Sequence, residues 1–173
     1  MADGASSTDM LIIQTGGTID KDYPKVTGGY AFEIGDSAAM RILTRMQPSF
    51  NMSFISACRK DSQKITDDDR THLSEAVRGY SGSKVLIAHG TDTLIETATY
   101  LANNTSGLEK VVILTGAMKP ETFKMSDADF NIGVAVGALQ GLQQHGVYVA
   151  MNGCVYKWDQ VRRNMETGQF CAK

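Results

Sequence analysis

No stretch of this chain is long and apolar enough to span a bilayer, which excludes a helical membrane protein. Cysteine is sparse: Cys58, Cys154 and Cys171 are widely spaced, odd in number and form no CxxC pair. That pattern excludes a disulfide framework and fits free thiols in a reduced compartment. The three histidines, His72, His89 and His145, lie far apart, with no i, i+4 pair and no HExxH, so metal binding has little support. Neither GxGxxG nor a GKS or GKT follows any strand candidate, and nucleotide-phosphate binding fits poorly. An excess of one charge is missing too. A net charge of -2 gives no electrostatic case for nucleic acid or anionic membrane as a partner. Met1 to Asp9 are small and polar, which argues against a signal peptide and makes the cytoplasm the expected location.

What is present reads as an ordinary globular chain, 42% apolar and 21% charged, and 173 residues are most simply one domain over 1–173. Apolar strand candidates recur at 10–15, 51–56, 84–88, 110–115 and 146–151, separated by helix-like windows at 36–46, 66–79, 92–103 and 127–143. The third window sets Leu94, Ala98 and Leu101 on one face; the fourth sets Phe130, Val134, Gly137, Ala138 and Leu142 at similar spacing. Thr66 with Asp69 three positions on resembles a capping box. This alternation predicts an α/β fold: an open, largely parallel sheet with helices on both faces, Rossmann-like or flavodoxin-like. Residues 16–35 break the rhythm, with glycines, a proline, two tyrosines and no sustained period. A long irregular stretch directly after a strand end reads as a functional lid.

Two apolar runs end in small turns that close on a threonine: Met10-Leu-Ile-Ile13 leads to Gln14-Thr15-Gly16-Gly17-Thr18, and Val85-Leu-Ile-Ala88 leads to His89-Gly90-Thr91-Asp92. In a parallel sheet such turns lie at the carboxyl ends of strands, where open α/β folds place ligands. Glycine lets the backbone approach a substrate closely, and two strand-end threonines with a carboxylate point to nucleophilic hydroxyl chemistry. The plainer reading of Thr15–Thr18 is a tight turn whose hydroxyls cap backbone groups. Asp92 at a helix start is explained cheaply by capping, and His89 by a hydrogen-bonded strand-end histidine. Tyr23 and Tyr30, in the lid, are each a candidate to pass a proton beside Thr18 or equally a surface aromatic; Tyr30, flanked by Gly29 and Ala31, is preferred. Small polar residues at Asp61-Ser62-Gln63 are suited to hold the amino and carboxylate groups of an amino acid, or simply form a turn. Lys119, after the third strand end, compensates a carboxylate, joins a subunit contact or is solvated.

Taken together these segments closely resemble the bacterial-type L-asparaginase family. Thr15-Gly16-Gly17-Thr18-Ile19 is similar to its amino-terminal signature, and His89-Gly90-Thr91-Asp92-Thr93 to its second signature. Ser62-Gln63 matches the substrate-holding pair, and Gly116-Ala117-Met118-Lys119-Pro120 matches GAMRP with lysine for arginine. The resemblance implies hydrolysis of the asparagine side-chain amide to aspartate and ammonia, without a cofactor. It implies Thr18 as nucleophile, Tyr30 as its partner and Thr91 in proton transfer or water activation. Ser62, Gln63 and Asp92 would bind the substrate's α-groups, and backbone N–H groups near Gly90 and Thr91 would face the oxyanion. At the position of the family lysine stands Arg162 or Arg163, with Arg163 the better match; arginine does not readily release a proton. The resemblance covers the amino-terminal domain and not the family's smaller carboxyl-terminal one. Faces that the second domain would cover predict a homo-oligomer, most simply a dimer. A catalytically silent amino-acid-binding module and hydrolysis of another small amide, such as glutamine, are the competing expectations.

Overall fold

The computed structural model describes residues 9–26 and 31–173. Runs rich in valine, isoleucine and leucine, with no polar alternation, form strands covered on both faces. In chain order the elements are β1 (Met10–Gly16), β2 (Lys21–Asp22), β3 (Glu33–Ile34), α1 (Ala38–Met46), β4 (Met52–Lys60), α2 (Asp67–Gly79), β5 (Lys84–Ala88) and α3 (Leu94–Asn104). They continue as β6 (Val111–Thr115), α4 (Ala128–Gly141), β7 (Gly146–Met151), β8 (Cys154–Lys157), β9 (Val161–Arg163) and β10 (Phe170–Ala172). Two 3-10 turns, Thr18–Asp20 and Ser62–Lys64, follow β1 and β4.

The main sheet has six strands in the order β4-β1-β5-β6-β7-β8. All neighbours are parallel except β7 with β8. The strands progress to one side from β1 to β4, then to the other from β1 to β5, as in doubly wound folds. The reversal makes the crevice between the ends of β1 and β5 the ligand-binding position of such a sheet.

Side-chain alternation sorts the core into two layers. Ile12, Leu86, Ile113 and Tyr148 meet α1 and α4 on one face. Ile13, Ile87, Leu114 and Val149 meet α2 and α3 on the other, where Leu94, Ala98 and Leu101 are all buried. The caps follow from sequence: Ser37 Oγ accepts from the Met40 N–H at α1, and Thr66 and Asp69 form a reciprocal capping box at α2.

The expected face of α4 is corrected. Ala128, Asn131, Ile132, Ala135 and Leu139 face the core, whereas Phe130 is 61% exposed. Apolar residues ring this helix, so their spacing does not select a side. The described parts of the segment 16–35, residues 16–26 and 31–35, are also more ordered than the composition implies. Thr18–Asp20 forms a turn, and Lys21 and Asp22 pair with Ile34 and Glu33 in a short antiparallel ladder. Strands β8, β9 and β10 go beyond the strands expected from apolar runs. No helix among the described residues is long and apolar enough to cross a membrane.

Candidate active site

Four strand-end turns are packed closely against one another. Gly17 has φ +88°, and a Cβ there would lie 2.2 Å from Gly90 Cα. A Cβ on Gly90 would lie 2.6 Å from Ser62 Cβ, and one on Gly116 2.3 Å from the His89 carbonyl oxygen. Real Cβ atoms do not approach this closely, so glycine is required for the loops after β1, β4, β5 and β6 to meet. Thr18 and Thr91 each directly follow a residue of the Gly17–Gly90 contact.

The surrounding hydroxyls divide into two groups. Thr15 Oγ1 donates to the Ala88 carbonyl at 3.0 Å, tying β1 to β5. Thr93 Oγ1 donates to the Ser62 carbonyl at 2.8 Å, and Thr115 Oγ1 to the Ala150 carbonyl at 2.8 Å. Thr97 Oγ1 accepts from Arg70. Those threonines are structural. Thr18 is half-buried and Thr91 is 7% exposed, and neither hydroxyl has a protein hydrogen-bond partner among the described residues.

Asp92 is not a helix cap. Its Oδ2 accepts from Gln63 Nε2 at 2.8 Å and its Oδ1 from Arg163 Nη1 at 2.8 Å, while Thr93 takes the N-cap position of α3. Arg163, foremost, and Gln63 hold the Asp92 carboxyl below the usual carboxylate range. Arg163 is itself fixed, donating from Nε to the Gly168 carbonyl and lying 5.9 Å from the Phe170 ring centroid. Buried Val161 and Phe170 anchor this small β9–β10 ladder to the core. Arg162 points elsewhere, its Nε donating to the Ala172 carbonyl.

Ser62 is buried in the turn after β4, and Gln63 follows it. Asp61 starts that turn, accepting from the Gln63 N–H and from Lys21 Nζ at 2.6 Å; the lysine holds its carboxyl low. A hollow beside this turn is lined by Lys21, Phe32, Asp61, Gln63 and Lys64. His89 has the plainer role. It is fully buried, with Nδ1 facing the Gly90 carbonyl at 2.7 Å and Nε2 unpartnered among the described residues. A ring nitrogen opposite a carbonyl must carry the proton, and burial, aided by Arg70, pushes this imidazole down to about 4. It is a neutral strut. Lys119 is exposed, and its backbone N–H donates to Asp127. Tyr30 lies outside the described residues. No group of three or more histidine, cysteine or acidic side chains that could hold a metal occurs among the described residues.

Sequence reading missed Gln14 and Asp20. The one local hint is that polar Gln14 directly follows four apolar residues within β1; Asp20 carries none.

The molecule is therefore a doubly wound α/β domain with paired strand-end threonines and a carboxylate at its topological crevice. The chain belongs to the asparaginase family: the family description "Asparaginase, N-terminal" matches residues 9–170. It is 32% identical over 158 residues to a probable periplasmic L-asparaginase of Haemophilus influenzae, covering 88% of this chain and 45% of that one. It is 28% identical over 176 residues to a glutaminase-asparaginase of Acinetobacter glutaminasificans, covering 95% and 53%. The crystal structure of a probable cytoplasmic L-asparaginase from Campylobacter jejuni matches with TM-score 0.79 at 25% identity, over 94% of this chain and 52% of that one. The chain thus spans about half the length of the curated relatives it matches.

Proposed function

We propose that this domain carries the nucleophilic site of an amidohydrolase that converts L-asparagine to L-aspartate and ammonia. One observation supports this reading above the others. The two threonines beside the Gly17–Gly90 contact are those whose hydroxyls are not spent on protein carbonyls or side chains among the described residues. In the proposed reaction Thr18 Oγ attacks the amide carbon, its proton passes to the leaving nitrogen, the C–N bond breaks and ammonia departs, leaving a threonyl ester. Water then attacks that ester, releasing the acid and returning the proton to Thr18. Thr91, beside Asp92, assists the proton movement; Ser62, Gln63 and Asp92 hold the α-carboxylate and α-amino groups. Backbone N–H groups near Gly90 receive the developing oxyanion charge. Tyr30 is proposed as the partner of Thr18. No cofactor is needed for this chemistry. The names of the relatives support a small amino-acid amide as substrate, and a cytoplasmic homodimer is the proposed setting.

Ammonia release from asparagine and from glutamine tests the reading, with Thr18→Ala expected to lower kcat at least about 1,000-fold. Thr91→Ala should also act mainly on kcat, and the two losses should not add, since both groups serve one transition state. Full activity in Thr18→Ala overturns the assignment.

A second reading, an amino-acid-binding module without turnover, is favoured by Arg163. Its guanidinium takes one Asp92 oxygen and cannot exchange a proton near neutral pH. Arg163→Lys separates the two. A rise in kcat means the arginine limits proton transfer; a fall means its contact with Asp92 belongs to the working site. Binding of aspartate with no turnover in either form supports the binding module.

A further inference from the structure

Asp20 is 1% exposed, and every one of its polar groups is engaged. Its N–H donates to the Gly17 carbonyl at 3.1 Å, closing the 3-10 turn around Thr18. Its carbonyl accepts from the Gly35 N–H at 2.9 Å. Oδ1 accepts from the Ala38 N–H, the first amide of α1, at 2.7 Å, and Oδ2 accepts from Gln14 Nε2 at 3.0 Å. Gln14 extends the web, donating to the Gly35 carbonyl at 2.9 Å and accepting from Ser56 Oγ at 3.1 Å. One residue thus joins β1 and the start of α1 through its carboxylate, and the Thr18 turn and the foot of β3 through its backbone, with Ser56 of β4 one step away.

We propose that Asp20 is a positioning residue for Thr18, holding the turn through these two side-chain hydrogen bonds only while its carboxylate is ionised. This inference rests on the nucleophilic role given to Thr18 above. The chemistry of the donor set supports the state dependence. Both oxygens accept from N–H donors, and the ionised carboxylate is the stronger acceptor for both bonds. Protonation removes that charge and adds an O–H donor where the two side-chain partners are themselves donors, so both bonds weaken and the turn that carries Asp20 loosens.

Burial pushes this carboxyl up to about 6, against the lowering pull of the Ala38 N–H, Gln14, Arg41 and Arg59. Arg41 faces it from α1 and Arg59 from β4, and the adjoining hollow is lined also by Asp22, Lys25, Glu33 and Asp36. The midpoint lies away from that of His89, the other buried titrating side chain of these turns, pushed to about 4. A group that touches no substrate would therefore set an acid limb on turnover.

The test is an NMR titration of the full chain, following the Asp20 carboxyl carbon and the Thr18 backbone amide from pH 8 to 4. Both signals should move on one single-proton curve centred near 6, and the Thr18 response should vanish in Asp20→Asn. A Thr18 amide that holds its shift while Asp20 protonates overturns the inference, as does an Asp20 carboxyl with no midpoint above 5. The wild-type titration decides even where the variant fails to fold. It also needs no substrate, so a chain without amidase activity overturns the proposed function and leaves co-titration to decide this one. With asparagine as substrate, kcat should fall on the same curve, about tenfold per pH unit well below the midpoint, with KM unchanged. An acid limb that persists in Asp20→Asn overturns it.

Discussion

At Gly17 a positive φ coincides with a spot where an added Cβ would lie 2.2 Å from the Gly90 Cα, and no neighbouring side chain can rotate away to make room for it. Gly17→Ala is expected to destabilise the fold by about 3 kcal/mol, from left-handed strain and overpacking together. Urea unfolding checks this, and a loss below about 1 kcal/mol would mean that the two strand ends separate easily. The residues offered by the two threonine turns were legible because Gly-Thr after an apolar run is an economical local pattern. Asp20 and Gln14 were not, because their partners lie across the fold: Ala38 is 18 positions from Asp20, and Ser56 is 42 from Gln14. Sequence also offered two explanations of Asp92, a helix cap or a ligand group. Thr93 at the N-cap and the contact with Arg163, 71 residues away, set the cap aside.

Among elements, the central strands and all four helices were readable because each carries its own periodicity and punctuation. The Thr66–Asp69 box is the clearest case. Thr66→Ala removes the Oγ1 that accepts from the Asp69 N–H, and it should cost about 1 kcal/mol, read as a lower urea midpoint with unchanged slope. Asp69 also bonds both its oxygens to Lys60 at the end of β4, so part of the box survives the change. Elements that went unread are short and lack a pattern of their own. The β9–β10 ladder holds three residues per strand, and only Val161 and Phe170 are buried. Its order comes from docking those two side chains, a tertiary cause that local sequence does not display. The α4 face failed for the opposite reason, too much apolar signal on every side.

For the whole molecule, two buried groups pull stability in opposite directions with pH. His89 is lowered to about 4 in the fold, so the unfolded chain alone takes up its proton between about 6.5 and 4, and stability falls with falling pH. Asp20 is raised to about 6, so the folded chain alone takes up that proton between about 6 and 3.8, and stability rises with falling pH. Each displacement corresponds to roughly 3 kcal/mol, and over pH 6 to 4 they nearly cancel. Unfolding free energy should therefore be almost level across that window. Below pH 4 it should fall as Asp61, Asp69, Asp92 and Glu121, all held low, become protonated. Asp20→Asn should expose the His89 slope, and His89→Gln the Asp20 slope. A wild-type loss above about 2 kcal/mol between pH 6 and 4 would contradict this balance. The sheet order has one more consequence, in the time domain. β1 is the earliest strand of the main sheet, yet both its neighbours, β4 and β5, come later in the chain. Its run Met10-Leu-Ile-Ile13 can pair on one side once β4 has been synthesised, but its other side stays bare and adhesive until residues near 88 follow. The Gly17–Gly90 contact can close only after that second pairing, so the crevice forms in the same step that covers the last open edge of this apolar run.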